Sequence, residues 1–285
     1  MRFAKVYVEL TNVCGQACSF CPSRPKQKRV MGLDAFEKVL EQLQPYTKTL
    51  ALHLFGDPLA LENLLDYMDS AYKRGFGLHL VTSGFPLKSH AKTLLTHPAL
   101  VQLNVSLNSA SAQNEEKLQA YLDEVVAWCV YKRQHAPKPF VNLRLWNKGG
   151  SDADVFFSKK ITTFFSHAFS HAHTIKLEEQ KDVYQLDEKI RLHGERYFVW
   201  PSLEAPLVSH GPCHGLRSHI GVLSDGTVVP CCLDGEGVMA LGDLFSTPLY
   251  AILASPRAQA IRKGFDKKKA IEPLCQRCDF RKRFL

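Results

Sequence analysis

Cys14, Cys18 and Cys21 form a C-x3-C-x2-C run near the start of the chain. Three thiolates this close can converge on one metal centre. A cubane [4Fe–4S] core takes four ligands, so three protein thiolates leave one iron open to a small molecule. A partial zinc site is the alternative, although no nearby His or Cys offers a fourth ligand. A second group follows the spacing Cys213-x17-Cys231-x43-Cys275-x2-Cys278. Cys275 and Cys278 are a tight ligand pair, and on spacing alone the four cysteines also suit zinc. Cys232 stands beside Cys231 as the fallback ligand. Cys129, next to Trp128, reads as core packing. There is no leader-like apolar start and no bilayer-length segment, so a cytoplasmic protein is expected. In a reducing compartment, nine cysteines point to metal or catalytic use rather than disulfides.

These groups need a scaffold, and the pattern supplies one. Strand-like segments at 6–10, 50–55, 78–81, 101–107 and 140–146 alternate with helical periodicity at 33–43, 61–74, 88–95 and 115–133. Such alternation predicts parallel βαβ units and a full or partial (β/α) barrel. Residues 156–169 are apolar but ambiguous, and a sixth strand is expected near 174–177. Past residue 212 the texture changes. Residues 221–229 predict a hairpin about Asp225-Gly226 that returns Cys231 toward Cys213. A helix is expected at 249–263.

The cysteine loop, with Phe20 before Cys21 and its place after the first strand, resembles the signature of the radical S-adenosylmethionine (SAM) superfamily. Further motifs follow in that family's order. Phe55-Gly56-Asp57-Pro58-Leu59 is similar to its Gly-Gly-Glu-Pro segment, with Phe for the first Gly and Asp for Glu. Thr82-Ser83-Gly84 resembles its Thr-Asn-Gly. Ser106 and Asn108 end the fourth strand, where ribose contacts lie, and Arg144 on the fifth is a candidate for the SAM carboxylate. The resemblance implies that Gly56, Asp57 and Pro58 meet the SAM amino group, through backbone more than through the short Asp57 side chain. All of these sit at strand C-terminal ends, the active-site face of such barrels. Beside such a core, Cys213, Cys231, Cys275 and Cys278 look like the ligands of a twitch subdomain, the short relative of the SPASM extension. The expected architecture is α/β: a partial (β/α)6-type barrel over residues 1–205, then a hairpin-plus-helix auxiliary subdomain over 206–285. The implied cofactors are two [4Fe–4S] clusters and SAM. A reducing partner such as flavodoxin or ferredoxin is implied with them.

The family's chemistry is reductive cleavage of SAM to a 5′-deoxyadenosyl radical, which takes hydrogen from an unactivated C–H bond. An auxiliary cluster with four protein ligands leaves no iron for substrate, which suits electron transfer and a net two-electron oxidation, either a dehydrogenation or a cross-link. Twitch relatives include sugar-alcohol dehydrogenases, whereas SPASM relatives modify peptides or proteins, so both a small molecule and a peptide are expected substrate classes. No general base stands out among Asp152, Asp154, Glu178 and Glu179. His167, His171 and His173 read as surface histidines, and Arg24, Lys26, Lys28 and Arg29 as a solvated basic run. The net charge is +8. Residues 257–285 hold ten Lys and Arg against three Asp and Glu, so nearly all of that charge sits there. A nucleic-acid-binding iron–sulfur or zinc protein, or a tRNA-modifying enzyme, is the other class this raises. The tail lacks aromatic interleaving and a nucleic-acid motif. Arg277, Arg281, Lys282 and Arg283 instead flank the second cysteine group, where positive charge favours a reduced cluster.

Overall fold

Apolar residues recur at helical spacing over 33–43, and helix α1 spans Leu33–Leu43, burying Phe36, Val39, Leu40 and Leu43 on one face. The computed structural model describes residues 2–16, 18, 21, 27–170, 183–208 and 211–284, with main chain only at 88–91. The chain divides into two compact units, one joining Met1–Leu78 with Phe198–Leu285, the other comprising His79–Tyr197.

In the first unit, β1 (Lys5–Val8) pairs in parallel with β2 (Thr49–Ala51) on one side. On the other side it pairs with β8 (His219–Val222), also in parallel, in the register Lys5↔His219 to Val8↔Val222. β8 turns through Asp225-Gly226 into β9 (Thr227–Val229), and β10 (Gly242–Asp243) closes the antiparallel edge. Gly226 has φ +87°, which the turn requires and a side chain would resist. Helix α2 (Leu64–Lys73) packs its Tyr67 ring edge-on to Phe36 at 5.3 Å. The helix expected over 249–263 is two helices, α6 (Leu249–Ala254) and α7 (Pro256–Asp266). Pro256 cannot continue a helix from α6 but suits the first turn of α7, and the Ser255 side chain caps it by accepting from the Ala258 N–H.

β3 (Gly77–Thr82) carries the chain into the second unit. There β4 (Leu100–Ser106), β5 (Phe140–Lys148) and β7 (Ile190–Arg196) are parallel, with β6 (Val183–Asp187) antiparallel at the edge. α3 (Leu87–Thr96), α4 (Glu115–His135) and α5 (Asp152–Ala168) connect them. The ambiguous segment 156–169 thus belongs to a helix, started by a reciprocal Ser151–Asp154 capping box. The strand expected at 174–177 lies outside the described residues. The β6–β7 hairpin escaped the sequence reading because Lys189, not Gly or Asn, takes the left-handed turn position, φ +55°. The fold is α/β, with a core of parallel strands forming an open, partial barrel. Cys129 is buried in α4, as expected of a core residue.

Candidate functional site

The three-cysteine loop leaves the end of β1 on a zipped neck. Thr11 bridges Val30, Thr11 Oγ1 donates to the Arg29 carbonyl at 2.9 Å, and Asn12 Nδ2 donates to the Gln27 carbonyl at 2.9 Å. The Arg29 N–H donates back to Asn12 Oδ1 at 2.8 Å, and the Arg29 guanidinium pairs with Asp225 of the β8–β9 turn. Arg29 therefore helps hold the loop in place while staying exposed with Lys28, as expected of a solvated run. The neck presents Cys14 and Cys21 exposed and Cys18 half-buried. Packing around the Cys14 sulfur raises its thiol pKa, and the nearby charges of Asp57, Cys18 and Cys21 add to this. The Cys14 thiol thus lies near Asp57, Cys18 and Cys21 beyond β1. Phe20, Arg24 and Lys26 lie outside the described residues, as do His171, His173, Glu178 and Glu179.

Gly56 explains how the second motif reaches that loop. A Cβ at Gly56 would stand 1.9 Å from the Thr11 carbonyl oxygen, so the two backbones touch where no side chain fits. The Asp57 N–H donates to the Val13 carbonyl at 3.0 Å, next to Cys14. Asp57 is 3% exposed, and its Oδ1 accepts from the Leu59 N–H at 3.1 Å, capping a 3-10 turn that begins at Pro58. These bonds commit the Asp57 carboxylate to shaping the loop. Phe55, at the position of the motif's first Gly, has its N–H on the buried Glu9 carboxylate at 3.3 Å and packs edge-on to Trp200 at 5.4 Å. Its ring lies so close to Gly235 that a Cβ there would fall 2.4 Å from it.

In the second unit, Thr82 Oγ1 accepts from the Gly84 N–H at 3.1 Å, and the Ser83 carbonyl accepts from the Tyr121 hydroxyl at 2.8 Å. Gly84 takes φ +91° against that hydroxyl, which leaves no room for a side chain. Ser106 pairs in register with Arg144 and Arg144 with His193, so the three form one row across β4, β5 and β7. Arg144 lies over the Trp146 ring at 4.3 Å and 3.9 Å from Glu195. Asn108 is buried, donating to Asn147 and accepting from the Trp146 N–H at 2.8 Å, so its amide braces the end of β5. Asp154 accepts two bonds from Ser151 in the α5 cap, a structural duty that sets it apart from a base.

His193 is a functional candidate that the sequence reading missed. Asn104 donates through Nδ2 to the Leu80 carbonyl at 3.0 Å, which makes its Oδ1 an acceptor. Asn142 Nδ2 donates to that oxygen at 3.1 Å, which turns Asn142 Oδ1 toward His193 Nε2 at 3.0 Å. Nε2 must then carry the proton, and Nδ1 is the basic nitrogen. Burial, and then the Arg144 charge, lower the His193 pKa and keep the ring neutral. The only sequence signal was alternation over 190–196 in a strand that had not been identified.

The second cysteine group also gathers in the first unit. Gly215 lies between Cys213 and Cys231: its N–H donates to Cys213 Sγ at 3.4 Å, and a Cβ there would lie 3.6 Å from both Cys213 Sγ and Cys231 Cβ. The short helix α8 (Pro273–Gln276) carries Cys275, and the Cys278 N–H donates to the Cys275 carbonyl at 3.3 Å. Cys275 Sγ is 3.3 Å from Met239 Sδ. Burial raises all four thiols, Cys278 to about 11 and Cys231 well above its ordinary value, and the Cys213 charge acts on the other three. Cys231 feels the charge of its neighbour Cys232 first and then those of Cys275 and Cys213, and Cys232 also packs against Leu54, Leu223 and Val229. Among the described residues, no group of three or more His, Cys, Asp or Glu is placed to hold a single metal ion. The donor set nonetheless fits an iron–sulfur group. Four desolvated sulfurs cannot all ionise unaided, and a cationic core is what lets them do so. The tail cations near this site are largely engaged, with Arg257 bidentate to Glu272, Lys282 on Asp279 and Arg283 over Phe280.

A model of the radical SAM superfamily matches residues 8–132, and one of the SPASM iron–sulfur cluster-binding domain matches residues 213–279. No curated protein matches the chain significantly by sequence. Among solved structures, BtrN in complex with AdoMet and 2-DOIA aligns with a TM-score of 0.58 at 15% identity, covering 98% of this chain and 94% of that one. Streptococcus suis SuiB bound to precursor peptide SuiA aligns with a TM-score of 0.61 at 13% identity, covering 98% and 71%. anSMEcpe with bound AdoMet and Cp18Cys peptide aligns with a TM-score of 0.55 at 13% identity, covering 97% and 86%. At these identities the three share the fold, and the family models carry the assignment. With a cysteine loop beyond β1 and a buried thiol set inside the second matched segment, the chain belongs to the radical SAM superfamily and carries a SPASM-type iron–sulfur cluster-binding domain behind its radical SAM domain.

Proposed function

We propose that this radical SAM enzyme performs a two-electron oxidation of a polar substrate, with the auxiliary cluster as electron acceptor. The observation that carries the reading is the three-plus-four division of thiols, Cys14, Cys18 and Cys21 against Cys213, Cys231, Cys275 and Cys278, within one compact unit. Three thiolates leave a ligand position for SAM and four leave none, so the second site is suited to electrons. The bound cofactors supply reductive cleavage of SAM and the 5′-deoxyadenosyl radical that removes a hydrogen atom from substrate.

The remaining work falls to the chain. Gly56, Asp57 and Pro58 shape the loop for the SAM amino group, Thr82, Ser83, Ser106 and Asn108 border the nucleoside, and Arg144 receives the carboxylate. Residues 1–205 form the catalytic core and 206–285 the auxiliary subdomain. For an alcohol substrate, His193 Nδ1 would take the hydroxyl proton, while an auxiliary cluster held by Cys213, Cys231, Cys275 and Cys278 would supply the acceptor for the second electron, the oxidised product being the carbonyl compound. The hydrogen-bonded row of Asn104, Asn142 and His193, with Arg144 in register beside it, favours a polar small molecule, as does the 2-DOIA held by BtrN. A peptide is the second reading, favoured by the peptides bound to SuiB and anSMEcpe.

The test is anaerobic reconstitution, followed by screening of polyols, amino sugars and peptides deuterated at carbon. Deuterium transfer into 5′-deoxyadenosine, with one oxidised product per 5′-deoxyadenosine, is expected. A redox-neutral product, or SAM regenerated each turnover, would overturn the oxidation.

A further inference from the structure

Of the four cations that flank the second cysteine group, Arg281 differs from the rest. It is 2% exposed. Its Nη1 donates to the Cys275 carbonyl at 3.0 Å, and its Nη2 donates to the Gly211 carbonyl. Its own backbone N–H donates to the Cys278 carbonyl at 3.3 Å. The guanidinium is therefore fastened to the Cys275 carbonyl, and the residue's own main chain to that of Cys278. Its Nε–H is buried and bonded to nothing among the described residues, as is that of Arg277, but Arg281 alone of the four is a buried residue.

A buried guanidinium without a carboxylate is costly unless something anionic faces it. No ion pair to Arg281 exists among the described residues, whereas Lys282 pairs with Asp279 and Arg283 lies over the Phe280 ring. What Arg281 reaches instead is the main chain of the cysteine pair, the Cys275 carbonyl from Nη1 and the Cys278 carbonyl from its own N–H. A four-thiolate [4Fe–4S] site is anionic at rest and more so when reduced. It supplies both the missing counter-charge and the acceptor for Nε–H.

We propose that Arg281 is the positioning residue of the auxiliary cluster, giving it a charge-assisted hydrogen bond from Nε–H and thereby raising its reduction potential. This rests on the reading of the second cysteine group as a cluster site, and it assigns the tuning to one residue of the basic tail. Positive charge and hydrogen bonds to cluster sulfur both favour the reduced form. Without them the cluster is a poorer electron acceptor.

The experiment is EPR-monitored redox titration of the reconstituted full chain, with wild type, Arg281→Gln, Arg281→Lys and Lys282→Gln compared. Arg281→Gln should lower the ratio of reduced to oxidised auxiliary cluster about tenfold at the wild-type midpoint, a shift of about 59 mV for a one-electron couple. Arg281→Lys, which keeps charge but loses the fork, should fall between, and Lys282→Gln should match wild type. Equal midpoints for wild type and Arg281→Gln would overturn the proposal. If the glutamine variant fails to fold, wild type carrying arginine labelled with 15N only in the guanidinium decides the matter. A 15N coupling in the pulsed EPR spectrum of the reduced auxiliary cluster supports the hydrogen bond, and its absence refutes it. A wild type that loads only the first cluster would instead refute the underlying reading, before any variant is compared.

Discussion

Gly56→Ala is the sharpest perturbation of the radical-generating site. The added methyl would lie 1.9 Å from the Thr11 oxygen and 2.7 Å from its carbon, and real Cβ atoms essentially never approach within 3.0 Å. Both obstacles are backbone, so no rotamer relieves them, and the loops after β1 and β2 must part by at least about 1.1 Å. That motion stretches the Asp57 N–H to Val13 carbonyl bond from 3.0 Å to about 4.1 Å, beyond hydrogen-bond reach. One lost bond and one stranded buried donor cost about 2–4 kcal/mol. For a chain of this size the melting temperature should fall by about 5–15 °C. Because the displaced segment leads into Cys14, the first cluster should be lost selectively, and iron should drop from about eight to about four per chain. Calorimetry of the apoprotein and iron analysis with EPR after reconstitution read the two effects separately. A variant that keeps its full iron content, cleaves SAM and melts like wild type would refute the reasoning.

The auxiliary ligands can be separated by exchange: Cys231→Ser should lose the auxiliary EPR signal, while Cys232→Ser, altering a residue packed on Leu54, Leu223 and Val229, should retain it. Cys129, buried with its thiol pushed up to about 12, should react with iodoacetamide about a thousandfold more slowly than an ordinary cysteine until the protein is unfolded, as tryptic mapping would report. His219 is held neutral by burial and by Lys5 and His214, with its pKa lowered from 6.5 to about 4. Its contribution to stability is therefore complete above pH 6.5 and is lost as the pH falls toward 4. By pH 5 the loss reaches about 2 kcal/mol, so urea titrations of apoprotein at pH 7 and pH 5 should differ less in His219→Gln than in wild type.

Much of this site was legible from residue types alone because its chemistry is sequence-local. Three thiols seven residues apart end to end, and a Gly-Asp-Pro after a strand, declare themselves without tertiary context. The helix periods were equally plain where one face is buried, as in α1. What escaped has a common physical cause. The β6–β7 hairpin turns on Lys189 in a conformation that no turn residue advertises, so His193 was assigned to no strand and to no site. The single helix read over 249–263 was divided by Pro256, whose breaking effect the continuous apolar pattern concealed. The choice between Cys231 and Cys232 depends on which side chain faces the other thiols and which faces the core, and adjacent residues in a sequence cannot reveal that. Asn108 and Asp57 stand at their expected strand ends, but their side chains are already engaged within the fold, a division of labour that only the hydrogen-bond partners disclose.

The substitution of Phe for Gly at position 55 has a structural explanation in the part of the chain it touches. Phe55 packs against Gly235, in the loop that follows Cys231, while its N–H binds Glu9. The other Glu9 oxygen accepts from the Ser224 N–H at 3.2 Å and the Ser224 hydroxyl at 2.9 Å, and the neighbouring Asp225 pairs with Arg29 of the cysteine loop. Glu9 is 2% exposed, and burial raises its pKa, so it is a costly group to keep. Three donors from two separate loops repay that cost in geometry. The loop after β2, the neck of the cysteine loop and the β8–β9 turn are thus fixed to one carboxylate, one ring and one ion pair. A Gly at position 55 would leave the ring's share of that constraint unmade. The motif departs from the family pattern where this chain binds its two cysteine groups into a single unit.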